Sequence, residues 1–175
     1  MESFDVAVVG VGVMGAAAGR ALAKSGKKVA MLERFEIGHS RGSSHGSARI
    51  FRFSYPDPHY VAMAQEALPL WRELEVETGQ ALLTQTGGLD AGDIVPQHAA
   101  ALRSCDAEFD LLDGAEVNHR FPGLTLPADE RVLIQPDAGV IAAERAWRAL
   151  ASAAVAAGAD MRENAQVSEV TVHDD

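Results

Sequence analysis

The sequence runs to 175 residues, 47% apolar and 23% charged, a globular composition on a chain long enough to bury roughly 70% of its unfolded surface. Its single cysteine, Cys105, excludes a disulfide framework and a multi-cysteine metal centre, and no metal site is expected. The net charge of −10 divides into +3 over residues 1–60 and −13 over residues 61–175, so the acidic part opposes nucleic acid and anionic membranes while the basic part suits a phosphate-bearing ligand.

Phe4 to Val9, FDVAVV, is a short apolar run ending at Gly10, which predicts a strand. It is too short and lacks the basic flank of a signal peptide. Val13 to Ser25 is rich in helix formers and stops at Gly26, and Lys28 to Glu33 is a second apolar run. Strand, tight turn, helix and parallel strand are therefore expected within 33 residues.

Residues 36 to 58 read as a long polar loop, dense in His and Arg, of the kind that carries function. A helix bent at Pro69 is expected over Tyr60 to Glu77, from Val61, Ala64, Leu68, Trp71 and Leu74 on one face. Leu82 to Leu89 and Val132 to Gln135 look like strands, and Pro96 to Ser104 and Gly114 to Arg120 like short helices around an extended FDLL segment. A helix over Ala142 to Ala157 then precedes strands at Asp160 to Arg162 and Gln166 to His173. No run reaches the roughly 18 apolar residues of a membrane span, and a cytoplasmic protein is the expectation.

The motif Gly10-Val11-Gly12-Val13-Met14-Gly15 sits between strand and helix. Its glycines permit a tight turn, approach of the backbone to a pyrophosphate, and close packing of helix on strand. Glu33 closes the next strand, where a carboxylate can accept from ribose hydroxyls and would repel a 2′-phosphate. Arg34 is the counter-signal, read first as a solvated arginine. The unit by itself does not separate FAD from NAD.

The stretch Arg41-Gly-Ser-Ser-His45-Gly-Ser-Ala-Arg49-Ile-Phe-Arg52-Phe-Ser-Tyr55 is more specific. The pattern GSSHG-x-x-R-I-x-R-x-x-Y after a Glu-ended strand resembles the monomeric sarcosine oxidase and N-methyltryptophan oxidase family of flavoenzymes. LWRELE, Phe121-Pro122-Gly123, Gln135-Pro136-Asp137-Ala138-Gly139-Val140 and Gly158-Ala159 extend the resemblance along the chain. It implies FAD and an amine substrate, typically an N-methyl amino acid. The substrate is oxidised to an imine that hydrolyses to amine and formaldehyde, and O2 is reduced to peroxide.

By the same resemblance Gly10, Gly12, Gly15 and Glu33 hold the ADP half, and Val167 meets the adenine through its backbone. Arg34, Ser43 and Ser44 are grouped with these cofactor contacts. His45 and Arg49 lie beside the isoalloxazine as the catalytic candidates, and Arg52 pairs with the substrate carboxylate. The flavin-bonding cysteine, the oxygen-activating lysine and a second cation for the carboxylate belong to the family's C-terminal half. None has a counterpart here, so covalent attachment at that cysteine is not expected, and Cys105 does not replace it. His39, His59, His98, His119 and His173 match nothing and read as surface or loop residues, and Trp71 and Trp147 as core.

The expected fold is α/β, a Rossmann-like FAD-binding βαβ unit with an α+β excursion toward a substrate domain and an incomplete sheet. Residues 1–58 form the ADP-binding unit and active-site loop, 59–158 the partial excursion and 159–175 the returning strands. The chain reads as an N-terminal portion, inactive alone, whose exposed strand edge invites self-association. The alternatives are another FAD amine or amino-acid oxidase, an NAD-dependent dehydrogenase, or a non-catalytic nucleotide-binding module.

Overall fold

The computed structural model describes residues 2–172. Its first half contains β1 (Val6–Val9), α1 (Val13–Lys24), β2 (Val29–Leu32), β3 (Arg49–Phe51), α2 (Pro58–Thr78), β4 (Leu83–Gln85) and β5 (Gly88–Ala91). There follow α3 (Val95–Ser104), β6 (Asp110–Asp113), α4 (Gly114–Arg120), β7 (Arg131–Gln135), β8 (Gly139–Ile141), α5 (Ala143–Ala156) and β9 (Asp160–Arg162). They fall into two compact units, Met1–Ala48 with Leu74–Leu82 and Ala142–Asp175, and Arg49–Glu73 with Leu83–Ile141. The chain returns to the first unit at Ala142, ahead of α5, whereas the sequence partition places that return after the helix.

The first unit holds a parallel three-stranded sheet in the order β1-β2-β9. Val6 faces Val29, and Ala30 faces Asp160. Helices α1 and α5 pack on each other beside it. Small residues on both helices, Ala16 and Ala23 on α1 and Ala143, Ala146 and Ala154 on α5, are buried, while Gly19 of α1 faces Met31 of β2. Trp147 fills the remaining space at 1% exposure. Arg20 of α1 is nearly buried and is paired with Glu77 at the end of α2, the compensation a charge needs at such burial. Among the described residues β1 pairs only with β2.

The second unit has two antiparallel sheets, ordered β3-β8-β4 and β5-β7-β6. Val132 and Leu133 of β7, Leu102 of α3 and Val117 of α4 are fully buried and form its core.

Three expectations change. The run Leu82 to Leu89 is two strands in different sheets, because Gly87 takes φ +71° and the amides of Thr86 and Gly87 both donate to the Ala138 carbonyl. β3 arises inside the segment that read as a polar loop, and β8 in a stretch to which no element was assigned, since each supplies the other's partner. Residues 166–172 are not a strand: the alternation is present, but no strand among the described residues pairs with them, and Val170 and Val172 stand exposed. His173, the end of that expected strand, lies outside the described residues. α2 continues through Pro69 as one helix.

Candidate functional site

β1 delivers the chain to Gly10, whose φ of +88° turns it into α1. The Gly10 amide donates to the Leu32 carbonyl at 2.8 Å, tying the turn to β2. A Cβ on Gly15 would lie 2.0 Å from the Gly10 oxygen, so only hydrogen allows the helix to start this close to the strand. Gly12, the residue before α1, gives no side-chain cap. Ser44 supplies one from 31 residues away, its Oγ accepting the Val13 N–H at 2.9 Å.

Glu33 follows β2 and is 5% exposed. Its Oε2 accepts the Val11 N–H at 2.8 Å and its Oε1 the Phe35 N–H at 3.1 Å. The carboxylate is thus fixed against the glycine turn. From α5, Trp147 Nε1 donates to the Val11 carbonyl at 2.5 Å. His39 completes the wall: Nε2 lies 3.4 Å from Glu33 Oε1, and the ring meets Phe35 and Trp147 edge-on at 5.0 and 5.3 Å between centroids.

These groups enclose a cleft of about 450 Å³ that Gly10, Gly12, Gly15, Glu33, Ser43 and Ser44 all line. Its walls combine backbone amides at a helix start with one buried carboxylate beyond them, donors for a diphosphate and an acceptor for ribose hydroxyls. The cradle fits the ADP half of a dinucleotide, because a Cβ at Gly15 would clash with backbone and one at Gly12 would stand 3.1 Å from Ser44 Oγ.

Other sequence candidates are placed differently. Arg34 is exposed, lies over the Phe35 ring at 5.1 Å and does not line the cleft. Val167 is half-buried in the irregular segment after β9, also outside the lining. His45 is exposed in the same loop as Ser44, with Nδ1 2.5 Å from the Gly42 carbonyl. Arg49, on β3, and Arg52 belong to the second unit. Arg52 Nη1 is 3.4 Å from Asp90 Oδ1, and its guanidinium lies 5.2 Å from the Tyr55 ring centroid.

His39 and Trp147 are the residues that sequence reasoning passed over. His39 is a loop residue, as expected, but its side chain is turned inward at 17% exposure, and Trp147 is core and cleft wall at once. The only available signal was the density of His in the loop, since neither belongs to a spaced motif. His98 is a further correction: it is 1% exposed, within α3. Among the described residues no cluster of three or more His, Cys, Asp or Glu could hold a metal ion, and no helix is long and apolar enough to cross a membrane.

Residues 5–175 match the FAD dependent oxidoreductase family, DAO. The chain belongs to that family. It is 38% identical to the monomeric sarcosine oxidase of Bacillus sp. (strain B-0618), over 98% of this chain and 46% of that protein. It is 36% identical to the peroxisomal sarcosine oxidase of Homo sapiens, over 97% of this chain and 44% of that protein. The solved open form of NikD, an unusual amino acid oxidase essential for nikkomycin biosynthesis, superposes with a TM-score of 0.77 at 32% identity, covering 94% of this chain and 44% of that one. The chain thus spans about half the length of these DAO relatives. The family is FAD-dependent, and its match extends over both units.

Proposed function

We propose that the protein containing residues 1–175 is an FAD-dependent oxidase of secondary amines, with sarcosine or another N-methyl amino acid as substrate. The observation that carries the reading is the Glu33 carboxylate locked onto the glycine turn by Val11 and Phe35. The names of the sarcosine oxidase relatives support the reaction class. When bound, FAD supplies the two-electron acceptor for amine oxidation to an imine, which hydrolyses to amine and formaldehyde while dioxygen is reduced to hydrogen peroxide.

Gly10, Gly12 and Gly15 admit the diphosphate to the start of α1, Ser43 and Ser44 flank it, and Glu33 accepts from the ribose. Arg52 binds the substrate carboxylate, where a planar guanidinium gives two parallel donors. His45 and Arg49 stand by the resemblance at the ring, Arg49 offering positive charge where negative charge develops. Arg34 stays at the margin of the cofactor site, and Val167 meets the adenine through its backbone. The family's flavin-bonding cysteine has no counterpart in residues 1–175, and Cys105 does not take its place. Self-association and a cytoplasmic location belong to the same reading.

An absorbance spectrum after incubation with FAD and desalting tests the cradle, with NAD calorimetry as control. Retained flavin supports the proposal, and NAD binding without flavin removes it. In the complete protein, peroxide release on adding sarcosine tests the reaction.

A further inference from the structure

Arg52 leaves β3 into a segment that is pinned immediately afterwards. The Phe53 N–H donates to Gln135 Oε1 at 3.3 Å, and Gln135 is 1% exposed. The guanidinium lies over the Tyr55 ring, which restrains its plane. Its edge is turned by Asp90 of β5, whose Oδ1 is 3.4 Å from Nη1. That acid is itself anchored: Oδ2 is 3.1 Å from Nδ1 of His98, buried in α3 at 1% exposure. A carboxylate only accepts, so His98 Nδ1 carries the proton. The result is a relay of fixed groups, α3 to β5 to Arg52, ending at a guanidinium whose side chain is still 38% exposed.

We infer that Asp90, held by His98, is a positioning residue for Arg52 and sets the orientation in which the guanidinium meets the carboxylate of the amine substrate. This rests on the reading of Arg52 given above. Asp90 takes only Nη1, so Nε and Nη2 have no partner among the described residues and face no competing acid there. Without Asp90 the side chain keeps its charge but gains rotational freedom, and each binding event must freeze it again. The loss therefore falls on substrates that carry a carboxylate and spares those that do not.

Steady-state kinetics of the complete protein test this with sarcosine and with dimethylamine, which has no carboxylate. Asp90→Asn should raise KM for sarcosine about fivefold to tenfold with kcat within about twofold, and should leave dimethylamine unchanged. Asp90→Glu keeps the charge but displaces it by one methylene, and should raise KM for sarcosine by a smaller factor. Arg52→Ala is the reference. If it leaves the preference for sarcosine intact, the Arg52 reading itself fails. If Arg52→Ala raises KM for sarcosine while Asp90→Asn and Asp90→Glu do not, or if they slow both substrates equally, Asp90 has no positioning role. Should Asp90→Asn not fold, Asp90→Glu decides, and an unchanged KM there overturns the inference.

Discussion

Nε2 of His39 stands 3.4 Å from Oε1 of Glu33, while its Nδ1 accepts the Arg41 amide at 3.0 Å. The ring proton therefore sits on Nε2 and is aimed at the carboxylate. Glu33 in turn accepts from two backbone amides through its two oxygens, and a glutamine has one acceptor oxygen for both. Glu33→Gln is expected to weaken FAD binding about tenfold or more, since an amide loses its partner at a buried site. His39→Ala should cost less, about threefold. Titration of flavin fluorescence reads both, and unchanged affinity in Glu33→Gln would mean that the carboxylate does not serve the cofactor.

Gly15→Ala places a methyl against the Gly10 carbonyl, at a Cβ–oxygen distance of 2.0 Å. The obstacle is backbone, so it cannot swing aside. The expected cost is about 2–4 kcal/mol, together with loss of flavin binding. Thermal denaturation beside a flavin spectrum checks it; a variant as stable as the parent would show that α1 can shift without penalty.

Trp147→Phe retains an aromatic ring between α5 and the glycine turn but deletes the donor to the Val11 carbonyl. About 1–2 kcal/mol should be lost in denaturant unfolding. Flavin affinity should fall with it, because Val11 also presents its N–H to Glu33.

Ser44→Ala removes the cap on Val13. A loss of about 1 kcal/mol is expected, as for other caps, whereas Ser44→Thr should retain most of it. Equal stability of Ser44→Ala and the parent would place the capping role elsewhere.

Asp160 and Arg162 at β9 give an acid-side prediction. The hydrogen bond from Arg162 holds the Asp160 carboxyl below the ordinary carboxylate range. A group with its folded value depressed contributes stability above its unfolded pKa and loses it as pH falls through the folded value. Asp160→Asn should therefore lower stability slightly at neutral pH, where the charged carboxylate contributes, and flatten the acid limb, so that the two proteins converge at low pH. Unfolding measured at pH 6 and pH 3 compares the two proteins.

Several features of the site are readable from neighbours along the chain. The turn at Gly10, the start of α1 and the end of β2 at Glu33 each follow from residue types within a few positions, whereas the resemblance to the FAD-dependent family rests on the spaced pattern from His45 to Tyr55. The link from Ser44 to Val13 spans 31 residues and that from Trp147 to Val11 spans 136, so no local pattern announces them. His98 shows the same limit from the other side. A histidine in a short helical run looks like a surface residue until the acid it faces, eight residues earlier on a strand, comes into view.

By itself the sequence determined the βαβ unit and its nucleotide chemistry, because periodicity, glycine conformation and the charge at a strand end act over a single turn or strand. Only the tertiary structure decided where Leu82 to Leu89 breaks into two sheets, that residues 166–172 form no strand, and which buried groups hold Glu33 and Arg52. Strand pairing and the orientation of a charged side chain depend on partners brought together by folding. The free energy of either is set by what lies opposite in space, which adjacency in sequence does not encode.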